Sequence, residues 1–196
     1  ISATGNLAAL IQITLDGGNI YSSVSRTFNA KRGITLGANG GGINLSGTSS
    51  TVTWQGPITG TSGGPLKLDY GTAVVLTNPS NNYDGNTILR GAPLRLGASH
   101  VVPDTSVVNF TQSGSKLQLN GNDETVKSLN GSLGSIELGD QTLTLDNPAG
   151  EVWGTPISAS AGGRLVKNGA GPITIRGNSP KFPRRVCFER RHGRIR

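Results

Sequence analysis

Residues 54–66 read WQGPITGTSGGPL, and residues 153–165 read WGTPISASAGGRL. The two stretches align without a gap at an offset of 99 residues. Trp54 meets Trp153, Pro57 meets Pro156, Ile58 meets Ile157, Gly63-Gly64 meets Gly162-Gly163, and Leu66 meets Leu165. The register runs on into Val74-Val75-Leu76 against Ile173-Thr174-Ile175. The chain has 2 tryptophans, and both stand at this one repeat position, so coincidence is a poor account of the match. Self-similarity at a fixed offset is the mark of a repeat architecture.

Ninety-nine residues are too many for one coil of such a fold, and shorter pieces with a shared grammar lie inside the unit. Each runs apolar, polar, apolar, then Gly, Asn or another turn-forming residue. Examples are Ile34-Thr35-Leu36, Ile43-Asn44-Leu45, Leu94-Arg95-Leu96, Leu117-Gln118-Leu119, Ile136-Glu137-Leu138 and Leu143-Thr144-Leu145. Strand alternation turns the two apolar side chains of each piece inward and the polar one outward. A strand this short cannot bury a face alone, but parallel rungs about 4.8 Å apart share one long core. Gly and Asn supply the corners because they tolerate positive φ. The expectation is a β-solenoid of seven or eight rungs at roughly 20 residues per coil, on the order of 35 Å long. The twelve apolar residues of those pieces should form its inward rows. The rival all-β reading, a sandwich or barrel, favours strands of about 5–6 residues joined by hairpins.

Composition agrees with many short strands. Gly is 30 of 196 residues, about twice the usual share, Met is absent, and only 15% of residues are charged. No run keeps apolar residues at helical spacing over several turns. The formal net charge is +7, but residues 181–196, KFPRRVCFERRHGRIR, hold +6 of it. The body is near neutral, so the charge reads as a solvated terminal run and not as a basic face for nucleic acid. The 1 cysteine, Cys187, lies in the same tail, which leaves the body without a disulfide or a Cys-based metal site. No apolar run reaches the length of a transmembrane helix.

Residues 63–97, GGPLKLDYGTAVVLTNPSNNYDGNTILRGAPLRLG, resemble the autotransporter passenger-associated β-strand repeat. Asn81, Tyr83, Gly85 and Thr87 match the middle of that pattern, and Leu94, Leu96 and Gly97 match its end. The second copy, GGRLVKNGAGPITIRGN at 162–178, matches the first half through Lys167, Gly169, Gly171 and Ile173–Ile175. The spacer at 119–138 is similar to the strands between such repeats. The first copy departs from the pattern at Pro65, Asp69-Tyr70 and Pro93, where a bulge or turn is expected. The resemblance implies a right-handed parallel β-helix, displayed outside the cell and exported through an outer-membrane translocator barrel elsewhere in a parent protein. It also implies an extracellular or bacterial cell-surface location, with host or matrix glycans or proteins as contacts. After Asn178 the pattern stops in one step. Residues 1–178 therefore read as the solenoid, with repeat copies at about 54–97 and 153–178. Residues 179–196 read as a basic, disordered or out-of-frame tail, with a genuine basic anchor as the alternative.

A polysaccharide-cleaving β-helix is the competing function. It would need three or more acidic or basic side chains converging in one groove. The acids are scattered along the chain, and only Asp123-Glu124 are adjacent, where strand neighbours face opposite ways and a solvated corner is the simpler reading. His100 sits in GASHVVPDTS, a loop between repeat units, as a surface histidine and not a general base. Cys187 and His192 lack a folded context for a reactive pair. The glycine clusters at 37–42 and 60–64 lack the helix and the Gly-Lys-Ser/Thr ending of a phosphate loop. Asp16-Gly17-Gly18-Asn19 is only a distant echo of a calcium nonapeptide. Trp54 and Trp153 are expected to pack inward and not to form sugar platforms. The sequence thus assigns no catalytic, cofactor-binding or metal-binding residue. It favours a structural stalk or adhesive passenger segment, with the enzyme second and an incomplete open reading frame third.

Overall fold

The computed structural model describes residues 11–175 apart from residues 47, 48, 148 and 150. The chain winds through them in successive turns of up to three short strands. The first turn carries β1 (Ile11–Leu15), β2 (Asn19–Ser22) and β3 (Arg26–Phe28). The second carries β4 (Arg32–Leu36), β5 (Gly41–Leu45) and β6 (Thr51–Trp54), and the third β7 (Ile58–Thr59), β8 (Leu66–Asp69) and β9 (Ala73–Leu76). The fourth turn has two strands, β10 (Thr87–Arg90) and β11 (Pro93–Leu96). The fifth also has two, β12 (Val107–Phe110) and β13 (Lys116–Gln118). The sixth returns to three with β14 (Glu124–Val126), β15 (Ser128–Gly131) and β16 (Ser135–Glu137). The seventh has β17 (Thr142–Asp146), β18 (Glu151–Trp153) and β19 (Ile157–Ser158). An eighth begins with β20 (Arg164–Asn168) and β21 (Ile173–Ile175).

Pairing between these strands is parallel throughout, one turn upon the next. The third face is the least interrupted, a 7-stranded sheet from β3 to β19. The second face runs from β2 to β15 as a 6-stranded sheet and continues through β18 and β21. The first face holds β1, β4 and β7 at one end and β14, β17 and β20 at the other, with a gap between. Aligned residues in successive turns are 19 to 26 positions apart. The fold is thus the expected parallel β-solenoid, about seven turns and on the order of 35 Å long at about 4.8 Å per rung.

The inward rows follow from strand alternation. All twelve apolar residues of the sequence triplets are buried, and the most exposed of them, Leu36, is at 2%. Leu76, Trp54 and Phe110 fill the same interior. Trp54 packs inward as expected, with its ring 4.5 Å from that of Phe28. Trp153 lies on β18, opposite Ile175 of β21.

The departures from the family pattern fall at turns and strand starts. Pro65 immediately precedes β8 and Pro93 opens β11, where a missing amide donor is tolerated. Tyr70 (φ 55°) and Gly71 (φ 80°) turn the chain out of β8.

The 99-residue repeat does not return to the same face. Its first copy, β6 to β9, visits the third, first, second and third faces. Its second copy, β18 to β21, visits the second, third, first and second. The offset is four and two-thirds turns, so equivalent residues sit a third of the way round the coil from one another. The faces are interchangeable because each asks only for an inward apolar pair between tight corners.

Candidate functional site

The gap in the first face, at the fourth and fifth turns, is where the molecule departs from a plain stack. Pro79 and Pro103 flank it, and each removes a donor that a strand would need. Side chains close the gap instead. The Asn81 Oδ1 accepts the Ile58 amide at 2.8 Å, and its Nδ2 donates to the Val101 carbonyl at 2.7 Å. One side-chain amide therefore stands in for a peptide group between the third turn and the fifth. On the far side, the Glu124 Oε2 accepts the amides of Val101 (3.0 Å) and Val102 (3.2 Å), and its Oε1 accepts that of Thr125 (3.0 Å). Backbone pairing survives at the rim, where the Asn82 amide donates to the Ile58 carbonyl and the Asp84 amide to the Gly60 carbonyl.

Beneath this patch Tyr83 is fully buried. Its hydroxyl lies 2.7 Å from Thr87 Oγ1, which is 2.9 Å from Ser106 Oγ, and Ser106 donates to the Gly85 carbonyl. Burial pushes the Tyr83 phenol well above its usual range, so it stays protonated as part of this chain. Gly85 is required by close approach, because a Cβ there would lie 2.1 Å from the Gly64 carbonyl oxygen. The Asn-x-Tyr-x-Gly-x-Thr residues at 81–87 thus form the filler of a missing strand.

An open cleft of about 480 Å³ lies over the gap, lined among others by Pro79, Asn82, His100, Pro103, Asp104 and Thr105. His100 is exposed in a loop, at φ 57°, as the sequence reading expects. Its ring nitrogen, an Asp104 carboxylate oxygen and a Glu124 carboxylate oxygen all lie within 4.8 Å of one another. Asp123 is exposed, but Glu124 is only 1% exposed, which corrects the reading of Asp123-Glu124 as a solvated corner. Burial pushes the Glu124 carboxyl up to about 7, against the pull of its three amide donors, and the nearby Asp104 charge adds to the rise.

Three ionisable side chains therefore come together, His100 and Asp104 lining the cleft and Glu124 buried beside it, close to the arrangement that would favour an enzyme. Glycoside hydrolysis needs two carboxyl groups flanking the scissile bond, one as acid and one as base or nucleophile. Glu124 is buried and clamped by three amides, while His100 and Asp104 are exposed.

Most other acids tie turns together. Asp16, Asp84, Asp123 and Asp140 each accept a backbone amide from an adjacent turn, those of Asn39, Gly63, Thr142 and Gly162. Glu137 accepts from Lys116 and Gln118, which hold its carboxyl below the usual range despite partial burial. Cys187, His192 and the basic tail lie outside the described residues, as does anything beyond β21.

A coil of short parallel strands, with asparagine and aspartate side chains joining its turns, defines a parallel β-solenoid. The chain is 31% identical over 175 residues to the Adhesin BmaC autotransporter of Brucella suis biovar 1, across 87% of this chain and 5% of that protein. It is 32% identical over 102 residues to the uncharacterized protein YuaQ of Escherichia coli K12, across 50% of this chain and 7% of that protein. No protein-family model and no solved structure matches it. On sequence and fold together, the chain is a parallel β-solenoid that is similar to a segment of an autotransporter adhesin. It spans only a small part of the length of either relative.

Proposed function

We propose that the chain is a non-catalytic rod segment of a surface-displayed autotransporter passenger, serving as a stalk or as part of an adhesive surface. The observation that carries this reading is how the acids are used: each of Asp16, Asp84, Asp123 and Asp140 ties one turn to the next. The likeness to a protein named as an adhesin adds to it. In this reading the parent protein carries an export signal and an outer-membrane translocator barrel. The outward faces meet the extracellular space, with host or matrix glycans or proteins as contacts. No helix among the described residues is long and apolar enough to cross a membrane.

The test is display. The chain is placed between an export signal and a translocator barrel, and intact cells are treated with an external protease. Loss of the chain from intact cells is the expected result, and protection until lysis would overturn the reading. For the non-catalytic part, the purified chain is incubated with acidic and neutral polysaccharides. No new reducing or unsaturated ends are expected. Cleavage that disappears in Asp104→Asn would establish the enzyme instead.

A further inference from the structure

The cleft over the gap has a property that a stalk does not require. We propose that His100, Asp104 and Glu124 form a site for a divalent transition-metal cation of the Zn²⁺ type, joining the fifth turn to the sixth where the first face lacks a backbone ladder.

The donor set is one imidazole nitrogen and two carboxylate oxygens. Zn²⁺ and its neighbours in the first transition row take this mixture, whereas Ca²⁺ and Mg²⁺ call for oxygen alone. The three donor atoms already lie within 4.8 Å of one another. Tetrahedral coordination at about 2.0–2.1 Å sets donors about 3.3 Å apart, so the site must close by roughly 1.5 Å at most. The parts that must move are free to do so, because His100 and Asp104 are exposed on a loop outside any strand. Glu124 is the fixed member, oriented by the amides of Val101, Val102 and Thr125, as outer hydrogen bonds orient metal ligands elsewhere. A dication also removes the repulsion between the Asp104 and Glu124 carboxylates. Three protein donors leave a coordination position open towards the cleft.

The site is placed to matter for the rod. His100 and Asp104 flank Val101-Val102 in the fifth turn, and Glu124 begins β14 in the sixth. The metal would cross-link the two turns beside the very bonds with which Glu124 replaces a strand. This inference is independent of whether the rod is adhesive or displayed.

The probe is ZnCl₂, titrated calorimetrically into the full chain carrying Cys187→Ser, so that the tail thiol contributes nothing. In that background we compare His100→Gly, Asp104→Asn and Thr105→Ala. Glycine suits the positive φ at position 100, and positions 104 and 105 are exposed, so the fold is retained and circular dichroism checks it. Saturable binding is expected in the parent and in Thr105→Ala. A loss of at least tenfold in affinity is expected in both His100→Gly and Asp104→Asn. The unfolding midpoint should rise with Zn²⁺ only in the proteins that bind it. If one ligand variant loses its β-sheet signal, the other decides. No saturable Zn²⁺ binding in the parent, binding that His100→Gly and Asp104→Asn retain, or Ca²⁺ binding as tight as Zn²⁺ would each overturn the proposal.

Discussion

Asp69 ends β8 with its carboxyl group only 4% exposed, and Arg90 stands opposite it in β10. The Arg90 Nε approaches the Asp69 Oδ1 to 3.3 Å, yet that oxygen makes no well-aligned hydrogen bond among the described residues. The contact is an ion pair across a half-exposed arginine. Burial raises the Asp69 carboxyl above its usual value, and the charges of Arg90 and Lys67 pull it down without cancelling the rise. An acid whose folded pKa lies above its unfolded value binds its proton more readily when folded. The stability it contributes is present below the unfolded value of 3.8 and is lost as pH rises through the folded one. Arg90→Ala removes the principal counter-charge and should enlarge this loss. Urea unfolding should show the variant less stable by about 1 kcal/mol at pH 8 and by clearly less below the unfolded value of 3.8, a modest figure because the arginine is half exposed. In an Asp69→Asn background the pH difference should vanish. An equal loss at both pH values would show that Arg90 acts through packing alone.

At the scale of the element, the segment from Asn81 to Thr87 replaces a strand with side chains, and its stability rests on a few bonds. Asn81→Ala leaves the Ile58 amide and the Val101 carbonyl without their partners inside the protein. At about 1–3 kcal/mol for each unsatisfied buried group, a loss of about 2–6 kcal/mol is expected in urea unfolding. Gly85→Ala should cost at least as much, because its Cβ would meet the Gly64 carbonyl oxygen, part of a backbone that cannot swing aside. A loss below about 0.5 kcal/mol in either variant would mean that the gap is held by something else. The strands themselves were legible: Ile34, Leu36, Ile43, Leu45 and their counterparts announce a core because apolar residues two apart, set between corners, suit little else. The replacement was only half legible. The Asn-x-Tyr-x-Gly-x-Thr spacing stands out as a family pattern, but nothing local shows that Asn81 bonds backbone 23 and 20 residues away. Glu124 was read as a corner acid for the same reason, since its partners at Val101 and Val102 are main-chain groups with no sequence signature.

At the scale of the whole molecule, a solenoid is held by contacts between neighbouring turns, so its cooperativity depends on each interface along the axis. The third face is a continuous ladder from β3 to β19, which couples the turns on both sides of the gap. On the first face that coupling passes through side chains, chiefly Asn81 and Glu124, with a few backbone bonds at the rim. The two tryptophans stand on either side of it, Trp54 in the second turn and Trp153 in the seventh. Trp153→Phe leaves the buried Trp54 as a local probe of the first turns, while far-ultraviolet circular dichroism reports all of them. With the gap intact, the two signals should follow one urea transition, as expected for a single cooperative unit. Adding Asn81→Ala weakens the junction between the third and fifth turns and should separate the signals, so that fluorescence and dichroism give different midpoints. Coincident transitions in the double variant would show that the ladders of the second and third faces are enough to join the two halves. Separate transitions already in Trp153→Phe would show that the halves are independent even with the gap filled.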